Sequence, residues 1–154
     1  VLWLSRSWTT RAQRPGESDD AYVFVDQEAF LAHIDRGGFL EWAEFQGNLY
    51  GTPWPDPPAG TDVLLEIDVQ GARSVRARDR GALLVFVDAP SRSAQADRLR
   101  ARGDDESAVA RRIAAAEQER QLARELGAHV VINDEVDTAV DEILALIDDA
   151  RRRC

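Results

Sequence analysis

Between Leu64 and Gly71 the chain reads Leu-Leu-Glu-Ile-Asp-Val-Gln-Gly, an apolar run with two carboxylates set into its C-terminal end. β-branched residues and a Gly exit predict a strand buried on both faces, the kind found in a parallel sheet covered by helices. Charge that deep in a core is costly unless it is compensated. Ligands of open α/β sheets bind at the carboxyl ends of strands, so Asp68, and with it Glu66, is expected to emerge into a site. The competing interpretation is a charged pair where an edge strand leaves the core.

The surrounding pattern fits such a sheet. Ala72 to Arg80 predicts a short Arg-rich helix, Ala82 to Val87 a second buried strand, and Ala128 to Ile132 a third. Ala108 to Leu126 predicts a long helix, with Val109, Ile113 and Ala116 at helical spacing. Val136, Ala139, Val140, Ile143, Leu144 and Ile147 form the apolar face of a final helix, with Asn133-Asp134 supplying its cap. Strands alternating with helices from residue 62 onward imply a parallel sheet with helices packed on it.

The first 60 residues have a different texture. Val1 to Ser7 looks like a strand that has lost whatever preceded it, and Tyr22 to Val25 reads as a short strand. Asp26 is placed to cap a helix through Phe30, Leu31 and Ile34, stopped by Gly37-Gly38. Phe39 to Tyr50 alternates apolar and polar residues, predicting two antiparallel strands that turn at Gly47-Asn48 and bring Glu41 near Tyr50. A solvent-facing edge strand is the alternative for Glu41 and Glu44. Pro53 to Gly60 cannot be helical, because successive prolines fix φ and remove donors, so it reads as a stiff connector. His33 and His129 have no neighbours at metal-ligand spacing and are read as packing or surface residues.

At 154 residues, 44% of them hydrophobic, the chain has the length of one domain with small insertions. A net charge of -9 and a pI near 4.7 argue against sequence-independent binding of nucleic acid or of an anionic membrane, both of which need a basic face. An anionic ligand must therefore meet local clusters of guanidinium groups, since all 19 basic residues are Arg. Arg11 and Arg14, on a turn-rich loop, suit forked binding of phosphate oxygens, with plain solvated charge as the alternative. Arg98, Arg100, Arg102, Arg111 and Arg112 alternate with acidic residues around Gly103, like a mobile, solvated cap or like ordinary surface pairing. A lone Cys154 in no metal spacing makes a reducing cytoplasm the expected setting, and no apolar run is long enough to span a bilayer.

The loop Ser7 to Glu17, the segments Leu40-Glu41-Trp42 and Tyr50-Gly51-Thr52, the run Glu66 to Gly71, the stretch Arg98 to Gly103 and Asn133-Asp134 occur in an order that resembles guanylate kinase over nearly the whole chain. That resemblance implies a P-loop-kinase-like α/β core from residues 1–7 and 62–154, an inserted α+β GMP-binding domain at 8–61, and a lid at 95–112. It implies transfer of the γ-phosphate of ATP to GMP, with Mg²⁺ carried by ATP. Glu41 and Asp68, with Glu66 nearby, would supply carboxylates for guanine, whose ring and exocyclic N–H groups suit such acceptors. Ser7 and Thr52 would add hydroxyls. Arg11, Arg14, Tyr22 and Tyr50 match positions that grip the GMP phosphate, and Glu17 braces them. Arg98, Arg102 and Arg112 match lid arginines that stabilise the transferring phosphoryl group, and Asn133 matches an adenine contact. Phosphoryl transfer needs positioning and charge neutralisation more than a covalent nucleophile.

Three departures accompany the resemblance. No G-x-x-x-x-G-K-[ST] element exists, and with no Lys in the sequence none is hidden, so weak ATP binding and little transfer are expected. The first strand and phosphate loop are expected to be missing through a truncated start, and a catalytically inactive GMP- or protein-binding module is the alternative. The spacing from Glu17 to Tyr22 is one residue shorter than the family pattern. Pro53 to Gly60 stands where the family has a helix in its GMP-binding part.

Overall fold

A computed structural model describes residues 1–153, so Cys154 lies outside the described residues. The chain divides into two compact units that meet between Arg80 and Gly81 in the sequence. The architecture is α/β, with parallel strand ladders and, among the described residues, five helices. None of those helices is long and apolar enough to cross a membrane.

In the first unit, β1 (Leu2–Leu4) pairs in parallel with β6 (Asp62–Leu64), and Ser5 N–H extends the ladder to the Leu64 carbonyl. Here the structure corrects the expected strand from Leu64 to Gly71. The ladder stops at Leu64, and both Leu4 and Leu64 are exposed rather than covered on two faces. Asp68, extended at φ -76° and ψ 175°, accepts from Gly71 N–H at 2.8 Å and so starts helix α2 (Val69–Arg78). A short carboxylate that satisfies an orphan first-turn N–H favours a helix start over continued strand. Glycine at the third helical position offers that N–H with no side chain in the way.

Four strands form the second sheet, in the order β3 (Val23–Phe24), β2 (Trp8–Thr9), β5 (Asn48–Pro53), β4 (Phe39–Phe45). β2 runs parallel to β3 and antiparallel to β5. The β4–β5 hairpin turns at Gln46-Gly47 rather than at Gly47-Asn48. Both residues have positive φ, 52° and 77°, as a two-residue primed turn requires, and Gln46 bears the left-handed conformation that glycine would adopt freely. Helix α1 (Gln27–Asp35) starts at Asp26, whose carboxylate accepts from Ala29 N–H at 2.7 Å, and it ends at Gly37 with φ 66°. Phe30, fully buried, stacks on Phe39 at 4.5 Å and fixes α1 against the sheet. His33 is a packing residue, stacked on Trp8 at 4.4 Å. The prolines from 53 onward form no helix.

In the second unit, β7 (Val85–Asp88) pairs in parallel with β8 (His129–Ile132), flanked by α3 (Arg92–Ala101), α4 (Glu106–Glu125) and α5 (Val136–Arg153). Ser91 and Asp105 cap α3 and α4 through Ala94 N–H and Ala108 N–H. Leu84, Leu99, Val109, Ala116, Val131 and Ala139 make the core. These strands are covered less fully than their apolar sequence suggests, since Val87 and Ile132 are exposed. The expected apolar face of α5 is likewise only half covered: Ala139 is buried, whereas Val136, Val140 and Leu144 are exposed. Its first turn begins beyond Asn133-Asp134, with Ala139 N–H on the Glu135 carbonyl, so Glu135 holds the cap position.

Candidate functional site

The loop between β2 and β3 is built around one fork. Arg11 places Nη2 2.7 Å from Glu17 Oε1 and Nη1 3.0 Å from Glu17 Oε2, with both side chains less than a fifth exposed. Arg14 N–H adds a third bond to Glu17 Oε2, at 2.9 Å, and Gln13 ties the loop to the Glu17 carbonyl and the Asp19 carboxylate. Gly16, at φ 78°, lets the chain double back so that Glu17 can reach both arginines' segments. The Arg11 hydrogen bonds and Arg14 N–H lower the Glu17 pKa to about 2. Arg11 is raised in turn, chiefly by its hydrogen bond to Glu17, with burial opposing and Tyr50 adding. A bidentate pair of this kind fixes the guanidinium plane as well as its charge.

Three aromatic rings complete this end of the site. The Arg11 guanidinium lies 5.5 Å from the Tyr22 ring centroid and 5.7 Å from that of Phe24, and Tyr22 meets Tyr50 edge-on at 6.1 Å. Burial raises the Tyr22 pKa, and the Glu66 charge adds to it, so its hydroxyl stays protonated and able to donate. Tyr22 thus stands beside Arg11.

Glu41 stands in the neighbouring stretch of the sheet, on β4 directly opposite Thr52 on β5. It is 7% exposed, so although β4 is an edge strand Glu41 does not lie on its solvent face, whereas Glu44 does. Its Oε1 accepts from the Thr52 hydroxyl at 2.5 Å, and Thr52 Oγ1 lies 3.4 Å from Ser7 Oγ. Burial raises the Glu41 pKa, the Thr52 hydrogen bond opposes that shift, and the charge of Asp68 adds to it. The first turn of α2 closes against this carboxylate: a Cβ on Gly71 would stand 2.7 Å from Glu41 Oε2. Thus Ser7, Glu41, Thr52 and Asp68 share one polar patch, next to Arg11, Glu17, Tyr22, Tyr50 and Glu66, all within the first unit.

Sequence reasoning missed three contributors here. Thr9, fully buried, donates to the Leu49 carbonyl and accepts from Arg11 N–H, anchoring the start of the arginine loop. Phe24 supplies the second ring beside Arg11, and its alternation with Tyr22 along the strand was the available signal. Arg6 donates to the carbonyls of Asp19 and Tyr22. Nothing in residue type marks a side chain whose partners are backbone oxygens.

The arginines of the second unit are engaged separately. Arg98 Nη1 donates to the Asn133 carbonyl at 2.8 Å, and Arg112 lies 4.0 Å from Asp104. Arg102 is the exposed C-cap residue of α3, ahead of Gly103 with φ 90°. Asn133 follows β8, with its N–H on the Asp88 carbonyl, at the carboxyl end of the parallel pair. Buried Asp88 pairs with Arg92 at 3.5 Å and with Arg120, an internal ion cluster that the charge pattern did not reveal.

Comparison with known proteins adds independent observations. The family model for guanylate kinase matches residues 4–150. The guanylate kinase of Nitratidesulfovibrio vulgaris is 49% identical across 92% of this chain and 71% of its own length. That of Bordetella pertussis is 48% identical across 99% of this chain and 73% of its own. The crystal structure of guanylate kinase from Anaplasma phagocytophilum superposes with a TM-score of 0.76 at 29% identity, covering 96% of this chain and 75% of that one.

Proposed function

The chain belongs to the guanylate kinase family, and from that premise we propose that it binds GMP through residues 1–80 as acceptor for the γ-phosphate of ATP, giving GDP and ADP. The observation that carries the reading is the meeting of Glu41, Thr52 and Asp68 beside the Arg11–Glu17 fork. One end of that patch offers acceptors to the N–H edge of guanine, and the other offers fixed guanidinium donors to a phosphate. Adenine presents an acceptor where guanine presents its ring N–H, so the same carboxylates would reject it. Tyr22 and Tyr50 would donate to the phosphate beside Arg11. Arg14, held through its backbone, would add charge at the exposed rim.

In this reading Arg98, Arg102 and Arg112 supply charge to the transferring group, and Asn133 contacts adenine. The exchange of Arg98 between the Asn133 carbonyl and a phosphate oxygen would couple the two. Among the described residues no three His, Cys, Asp or Glu side chains stand together as a metal cage. Mg²⁺ would arrive on ATP and neutralise its phosphates. The cytoplasm is the compartment assigned.

A second reading is a GMP-binding module with little transferase activity, resting on the same patch in the first unit. Both readings need the GMP site, and a thermal shift measurement tests it. GMP at a hundredfold excess over its Kd is expected to add about 2.7 kcal/mol of stability, and ATP far less. Stabilisation by ATP with none by GMP would contradict the assignment of residues 1–80. Production of GDP from ATP and GMP then separates transferase from binding module.

Gly71 gives a further expectation. A methyl group there must displace the Glu41 carboxylate, the nearer atom, or the backbone of α2. Gly71→Ala is therefore expected to weaken GMP binding by about tenfold, the range for loss of one hydrogen bond to a charged group. Titration calorimetry checks this, and wild-type affinity would show that Glu41 shifts without consequence.

A further inference from the structure

We infer that Arg6 is a positioning residue for the nucleotide phosphate, acting through Tyr22. This rests on the reading that Arg11 and Tyr22 face a phosphate, and it assigns a role to a residue outside the family resemblance. Arg6 lies immediately before Ser7, whose carbonyl accepts from Val23 N–H at 2.9 Å, so the backbones at residues 6 and 22 are already neighbours where β3 joins β2. From there its Nη2 donates to the carbonyl of Tyr22 at 2.8 Å and to that of Asp19.

Those two carbonyls belong to a tight turn and its exit. Ala21 N–H bonds the Ser18 carbonyl and Asp20 N–H bonds Ser18 Oγ, so Asp19 lies within the turn and Tyr22 is the first residue beyond it. One guanidinium nitrogen holding both oxygens fixes the turn's exit, and with it the direction in which the Tyr22 side chain leaves. That side chain is the one between Arg11 and Tyr50. Arg6 also lies 3.7 Å from Asp20, but Asp20 is 93% exposed, and an ion pair so open to water contributes little. The carbonyl bonds are what matter. They also brace the short loop after Glu17 where it delivers Tyr22.

The test is a double-mutant cycle in the full chain, with GMP affinity read by calorimetry. Arg6→Ala is expected to weaken GMP about fivefold to tenfold, and Arg6→Lys, which keeps donors of similar reach, to recover most of that loss. In a Tyr22→Phe background, where no hydroxyl is left to misplace, Arg6→Ala is expected to add less than about twofold. Melting of each unliganded variant separates lost binding from lost fold. Full additivity of the two substitutions would overturn the inference, because it would mean that Arg6 acts as a distant charge independent of Tyr22. Wild-type affinity in Arg6→Ala would overturn it alone. A wild-type chain that binds no GMP would overturn the functional reading and this inference with it.

Discussion

Arg11→Ala is expected to weaken GMP binding by about 2 kcal/mol or more, roughly thirtyfold in Kd, the scale for removing one partner of a charged, hydrogen-bonded contact. Two effects act in the same direction. The forked donor is lost, and Glu17, held at a pKa of about 2 largely by that fork, stays ionised at neutral pH beside the incoming phosphate. Arg11→Lys is expected to recover only part of the loss, because a point charge cannot fill both oxygens of Glu17. Glu17's depressed pKa also fixes the sign of an acid effect. The stability it contributes is present above the ordinary carboxylate pKa and is lost as pH falls from there toward 2. Calorimetric titration with GMP settles the main point, since unchanged affinity would remove Arg11 from the site.

Glu41→Gln is expected to cost at least about a hundredfold in GMP affinity, since a site built to accept hydrogen bonds from a base edge fails sharply when it presents donors instead. The substitution keeps shape and places an amide where guanine brings its own N–H groups. Inosine monophosphate, lacking the exocyclic amine, should lose less than GMP. The raised pKa of Glu41 adds a pH signature. In the free protein the carboxyl takes up its proton at higher pH than usual, whereas bound guanine donors would favour the anion. Affinity should therefore fall, and proton release on binding rise, as pH drops toward that elevated pKa. Glu41→Gln should abolish both trends. Calorimetry in buffers of different ionisation enthalpy measures the released proton directly, and an identical pH profile in the variant would exclude Glu41 as the source.

Much of this was readable wherever a local rule and a tertiary contact agreed. Asp26 capped the helix it preceded, and the proline run stayed out of helix, because capping and fixed φ are properties of a few adjacent atoms. Arg11, Glu17, Glu41 and Asp68 were legible as a set only through family resemblance. The arginine loop and the hairpin stand far apart along the chain, and periodicity says nothing at that distance. The run Leu64 to Gly71 misled for a physical reason: apolar content announces burial but not conformation, and the hydrogen bond from Gly71 N–H to Asp68 decided for helix. The hairpin turn slipped by one residue because Gln46 adopts a conformation that side-chain chemistry disfavours. Arg6 was invisible because its partners are carbonyls, which every residue carries.

The cap at Asp68 has one more implication. With Oδ1 held by Gly71 N–H, the plane of that carboxylate is set before any base arrives, and only the second oxygen is left to turn toward one. The rotational freedom that a loose side chain would surrender on meeting its ligand was already surrendered when α2 wound up. Under the proposed reading, recognition of a base by Asp68 would thus begin from a preorganised state, in which folding has met part of the entropic cost of binding in advance.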